Sequence, residues 1–99
     1  MTAMDSADDG YAQPGGYTAA QAAHTFEQFL EGHLSLQGFS QWLDGYRPGV
    51  NAPNDPGVEN EINMAVLALR ALQHGTRTRH EVHSEIVHGR SRLTGLARQ

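Results

Sequence analysis

Apolar positions along this chain recur at helical spacing in four separate stretches. Ala22, Phe26, Phe29 and Leu30 form the first stripe, and Leu36, Phe39, Trp42 and Leu43 the second. Ile62, Val66, Leu69 and Leu72 form the third, and Val82, Ile86 and Val87 the fourth. Steps of three and four place each set on one face of an α-helix, and no run shows the two-residue alternation of a half-buried strand.

The punctuation between stripes agrees with four helices. Thr18 with Gln21 and Thr78 with Glu81 have the spacing of capping boxes, in which each side chain satisfies a backbone N–H near the other. Ser35 is a good N-cap for the second helix, and Asp55 followed by Pro56 marks the start of the third. Gly32, Gly45 and Gly75 are read as helix stops, as is Gly89 at the end of the fourth helix. Gly38 falls inside the second helix, where glycine costs about 1 kcal/mol relative to alanine. Residues 46–55, with Pro48, Gly49 and Pro53, form the interior loop.

These signals predict an all-α fold, a small four-helix bundle made of two helical hairpins. The third helix, expected over 56–74, also carries Met64, Leu67, Ala68 and Ala71, so its apolar arc is wide and it is expected to be the central element. The expected organisation is a disordered acidic leader over 1–16, the bundle over 17–89, and a basic tail or frayed helix end over 90–99. Residues 1–16 offer too little apolar surface to offset the entropy of ordering.

Ninety-nine residues allow one modest core, a size at which self-association into a homodimer is a natural source of further stability. The chain has no cysteine, so a disulfide framework, a thiolate metal site and a cysteine nucleophile are excluded. All seven basic side chains are arginine, which removes lysine Schiff-base chemistry and the phosphate-loop lysine. The net charge of −4 is unevenly spread: residues 1–69 hold nine acidic groups against Arg47, and residues 70–99 hold six arginines against Glu81 and Glu85. Such a chain pairs its two halves or steers a charged partner. A secretory signal pattern is missing from the first residues, and no apolar run approaches the roughly 20 residues of a membrane span, so a cytoplasmic protein is expected.

Two segments carry a resemblance. Phe29-Leu30-Glu31-Gly32-His33-Leu34-Ser35-Leu36 runs through Phe39 to Trp42-Leu43. Glu59 through Leu72 is followed by His74-Gly75-Thr76-Arg77-Thr78 and Glu81-Val82. Together, over about residues 24–88, they resemble a group of small bacterial helical proteins that is distantly similar to the colicin-type immunity proteins. Gly38 departs from that pattern, as does the Gln73-His74 pair before Gly75. The resemblance implies a helical bundle and an inhibitor or adaptor of another protein, with no catalytic residue and no cofactor.

The residues themselves leave three kinds of chemistry to weigh. His80 and His83 lie three apart with His88 and Glu85 near, but one helix rarely supplies more than two zinc ligands, and His80-Glu81-Val82-His83 is one residue short of the metalloprotease motif. No metal site is expected. Glu27 and Glu31 are one turn apart, a spacing that paired catalytic carboxylates and merely solvated ones share, and no enzyme is expected. Arg77, Arg79, His80, His83 and Arg90 would face a phosphate backbone if the third and fourth helices formed a helix-turn-helix. The acidic first half and Glu81 and Glu85 oppose that alternative. The leading expectation is binding to another protein through Trp42, Tyr46, Arg77 and Arg79, although Trp42 reads better as a core residue and Tyr46 equally as either.

Overall fold

The computed structural model describes residues 17–47, 50 and 55–98, so the leader expected over 1–16 lies outside the described residues. Four helices follow in order: α1 (Ala19–Leu30), α2 (Leu36–Asp44), α3 (Pro56–Gln73) and α4 (Arg79–Ala97). No strand occurs among the described residues.

Each helix starts where a side chain replaces a missing backbone partner. Thr18 Oγ1 accepts from Gln21 N at 3.2 Å, Ser35 Oγ from Gly38 N at 3.0 Å, and Asp55 Oδ1 from Gly57 N at 2.9 Å. Only Thr78 forms the full capping box: its Oγ1 accepts from Glu81 N at 3.1 Å, and Glu81 Oε1 accepts from Thr78 N at 2.8 Å.

The two hairpin turns are built alike. Gly32 and Gly75 adopt left-handed φ angles of 84° and 77°. His33 N donates to Gln28 O and Thr76 N to Ala71 O, each at 2.9 Å, the long hydrogen bond of a Schellman turn. An N-cap, Ser35 or Thr78, follows three residues after each glycine. Carrying this alignment outward pairs Ala19 with Ile62, Ala22 with Ala65, Thr25 with Ala68, Phe26 with Leu69, Phe39 with Val82 and Leu43 with Ile86. All of these positions are buried. The bundle is thus two hairpins of the same pattern wrapped around one core.

Packing is uneven around that core. The most extensive contact is between α1 and α4, followed by α3 against α4, while the short α2 touches α1 and α3 less. The third helix therefore contacts two neighbours, and much of its broad apolar arc stays open: Leu67 is 63% exposed and Met64 37%.

Gly89 is not a stop, and the basic segment after it is not a tail. Helix α4 continues through Gly89 to Ala97, with Leu93 fully buried. Val82, Ile86, Gly89 and Leu93 continue one apolar stripe at steps of four, three and four, and Leu96 extends it. A Cβ on Gly57 would lie 2.8 Å from Leu96 Cδ1, so the end of α4 is seated on the start of α3. Gly89 serves close approach instead, since a Cβ there would lie 2.9 Å from Cε2 of the buried Phe26.

Alanine substitutions in α4 should therefore have opposite signs. At Gly95 nothing lies within 4 Å of an added Cβ, and alanine should raise stability by about 0.5–1 kcal/mol through helix propensity. Gly89→Ala gains the same propensity but drives into a ring that is 1% exposed and cannot yield, with a net loss of about 1–2 kcal/mol expected from overpacking. Urea denaturation of both variants checks the contrast, and equal stabilisation would show that the α1–α4 seam is loose.

Candidate functional site

Six aromatic rings form a chain through the core. Phe29 stacks on Phe39 at 4.5 Å, Phe39 on Trp42 at 6.2 Å, and Trp42 on Tyr17 at 4.7 Å. Phe26 meets Phe39 edge-on at 5.3 Å, and Tyr46 meets Tyr17 edge-on at 5.4 Å. Trp42 and Tyr46 are 5% and 8% exposed, which corrects their assignment as partner-binding residues. Tyr46 faces the ring of Tyr17, and the Tyr17 hydroxyl donates to Trp42 O at 2.5 Å, so these rings are consumed in packing. Tyr17, one residue before the α1 cap, closes the core at 5% exposure.

Burial raises the pKa of both tyrosines. At Tyr17 desolvation dominates and Arg47 opposes it, while at Tyr46 desolvation is reinforced by Glu59 and Asp55. The sign follows from linkage: the fold prefers the neutral phenols, so the unfolded chain loses these protons first. Their contribution is complete below the ordinary tyrosine value of about 10 and is lost as pH rises through the higher folded values. Tyrosinate absorbance of a Tyr11→Phe variant, which leaves only Tyr17 and Tyr46 to report, should show late, cooperative ionisation that coincides with unfolding during an alkaline titration. Ionisation at the ordinary value with the fold intact would contradict this burial.

Three of the six arginines in residues 70–99 make ion pairs among the described residues. Arg90 lies 3.9 Å from Glu27 on α1. Arg92 Nε donates to Glu61 Oε2 on α3 at 2.7 Å, and its guanidinium also lies 3.6 Å from Glu85. Arg77 reaches Glu85 at 4.0 Å. The acidic and basic halves of the chain are thus partly neutralised against each other. Glu61 is the unexpected member, 4% exposed on the α4-facing side of α3, and its Oε1 has no hydrogen-bond partner among the described residues. Sequence patterning gave no sign of it, because its partner lies 31 positions away.

The five residues of the nucleic-acid alternative do not share one free face. Arg77 is paired with Glu85 of α4 and Arg90 with Glu27 of α1, while Arg79, His80 and His83 are exposed near the start of α4. The Glu61–Arg92 bond and the Gly57–Leu96 contact show that α3 and α4 run antiparallel along their lengths. A helix-turn-helix instead crosses its helices at about 90–120°. All six histidines are exposed, and no group of three or more His, Asp or Glu side chains is placed to hold a metal among the described residues.

Arg79 and His83 do meet a cleft. A cavity of about 360 Å³ opens between the α1–α2 turn and the first turns of α4, lined by Phe29, Leu34, Leu36, Leu72 and Val82 together with Arg79 and His83. It exists because the bundle ends in two hairpin turns, leaving side chains of all four helices around one opening. Arg79 makes no ion pair among the described residues, unlike Arg77, Arg90 and Arg92. The cleft therefore combines an apolar floor with an available cation, a combination suited to an apolar side chain flanked by a carboxylate. None of its apolar lining stood out as a site in the sequence, since each residue also reads as core.

No helix among the described residues is long and apolar enough to cross a membrane. Comparison with family models, curated proteins and solved structures returns no match.

Proposed function

We propose that this chain is a non-enzymatic protein-interaction module, an inhibitor or adaptor that takes an acidic, apolar segment of another protein into the cleft between the α1–α2 turn and α4. The observation that carries the reading is the apolar cleft edged by Arg79. Phe29, Leu36 and Leu72 supply area that water leaves on binding, and Arg79 selects for negative charge with the His83 ring beside it at the cleft edge. The resemblance to colicin-type immunity proteins agrees with a helical module that acts by occupying another protein. A cytoplasmic location and an immunity-like or antitoxin-like role belong to the same proposal.

Affinity capture from cells with the tagged full chain tests it, with Arg79→Glu/His83→Glu as the paired control. Both positions are exposed, so the double variant should keep its helical content and melting behaviour. A protein that the wild type retains and the variant loses is the expected result. Capture of the same protein by both chains would move the site elsewhere, and capture of none would remove the reading.

A further inference from the structure

Helix α3 carries a seam that the bundle does not use. Val58, Ile62, Ala65 and Leu69 are buried in the core, whereas Leu67 and Met64 are 63% and 37% exposed. Asn60, Met64, Leu67, Ala71 and His74 follow one another at steps of four and three, which is the spacing of a coiled-coil seam. None of them carries a permanent charge. The fold itself does not require apolar residues there, because α1, the equivalent helix of the other hairpin, has exposed Gln21 and His24 where α3 has Met64 and Leu67.

The charges beside this seam indicate its occupant. Glu59 and Arg70 flank it on the same edge, about three turns apart, and both are exposed. Neither makes an ion pair among the described residues. We propose that a second copy of this chain packs on α3, antiparallel, about a two-fold axis crossing the helix between Met64 and Leu67. Such an axis sets Met64 on Leu67 of the second copy and Asn60 on Ala71. Antiparallel pairing brings like edges together, so Glu59 of each copy faces the Arg70 end of the other. A parallel pair brings opposite edges together and leaves both charges without that complement. This surface is separate from the cleft assigned to another protein, so either proposal can fail alone.

Sedimentation velocity of the full chain, from about 1 µM to about 1 mM, reads the association directly. The wild type should pass from monomer to dimer across that range. Leu67→Glu should stay monomeric throughout with unchanged circular dichroism, since Leu67 is exposed and contributes little to the core. Glu59→Arg and Arg70→Glu should each weaken association by up to about tenfold, because every exposed pair occurs twice in a symmetric dimer. The double variant Glu59→Arg/Arg70→Glu should regain affinity close to the wild type, a rescue specific to the antiparallel arrangement. A wild type that remains monomeric at the highest concentration, a Leu67→Glu variant that still dimerises, or a double variant no tighter than the singles would each overturn the proposal.

Discussion

Replacing Trp42 with alanine is expected to destabilise the fold by about 3–5 kcal/mol, the range for deleting a large buried aromatic side chain. The indole is 5% exposed and in contact with three other rings: stacked on Tyr17 and Phe39, and edge-on to Phe26 at 6.3 Å. Such pairs contribute about 0.5–1.5 kcal/mol each beyond area burial, so the loss is set by geometry as well as volume. A domain of this size has a total stability of roughly 5–15 kcal/mol, and each kcal/mol shifts its melting temperature by about 4–8 °C. The variant should therefore melt at least about 12 °C lower, and in a marginal background it should be unfolded. Thermal denaturation followed by circular dichroism makes the measurement. The same substitution at an interface anchor would leave the isolated chain's stability nearly unchanged, so this experiment separates the two roles the sequence allowed for Trp42.

That ambiguity marks where the sequence stops being informative. Gly32, Gly75, Ser35, Thr78 and Asp55-Pro56 act within a few residues of themselves, through a left-handed φ, a capping oxygen or a fixed proline ring. Their consequences could be read from the chain directly, and the starts of α2, α3 and α4 follow. Gly89 could not be read this way. A glycine near the end of an amphipathic stretch signals a stop when only local conformation counts, but here it lets α4 approach the ring of Phe26. The run from Val82 through Ile86, Gly89 and Leu93 to Leu96 did carry a usable signal, obscured by the missing side chain at 89 and the arginines around it. Tyr17 carried another, since an apolar residue just before an N-cap often packs back on its helix. The cleft had none. Its floor consists of side chains that satisfy the core pattern, and only the meeting of two turns at one end leaves them half covered. The ion pair inside the α3–α4 seam was equally hidden, because neither partner has a local feature that requires the other.

Removing the cation of that pair gives the other large effect. Arg92→Ala leaves the Glu61 side chain 4% exposed, with no partner for Oε1 among the described residues and with Oε2 stripped of its donor. An uncompensated buried charge typically costs about 3–5 kcal/mol. The Arg92 side chain is 47% exposed, so water can partly fill its place, and a loss of about 2–4 kcal/mol is expected. The pair need not stabilise the fold relative to an apolar seam. Its attraction must offset the desolvation of Glu61, and among the described residues only one of the two carboxylate oxygens is satisfied. Glu61→Leu/Arg92→Leu removes both charges and fills the α3–α4 seam with hydrocarbon, and it should lie within about 1 kcal/mol of the wild type or above it. The Arg92 pKa is raised first by its hydrogen bond to Glu61 and then, against the opposing effect of burial, by the Glu61 and Glu85 charges, so Arg92→Ala also releases Glu85 and Arg77 from the network. Urea unfolding of the single and double variants at neutral pH decides between these terms. A double variant as unstable as Arg92→Ala would mean that the ion pair, and not the burden of an unpaired carboxylate, holds α3 against α4.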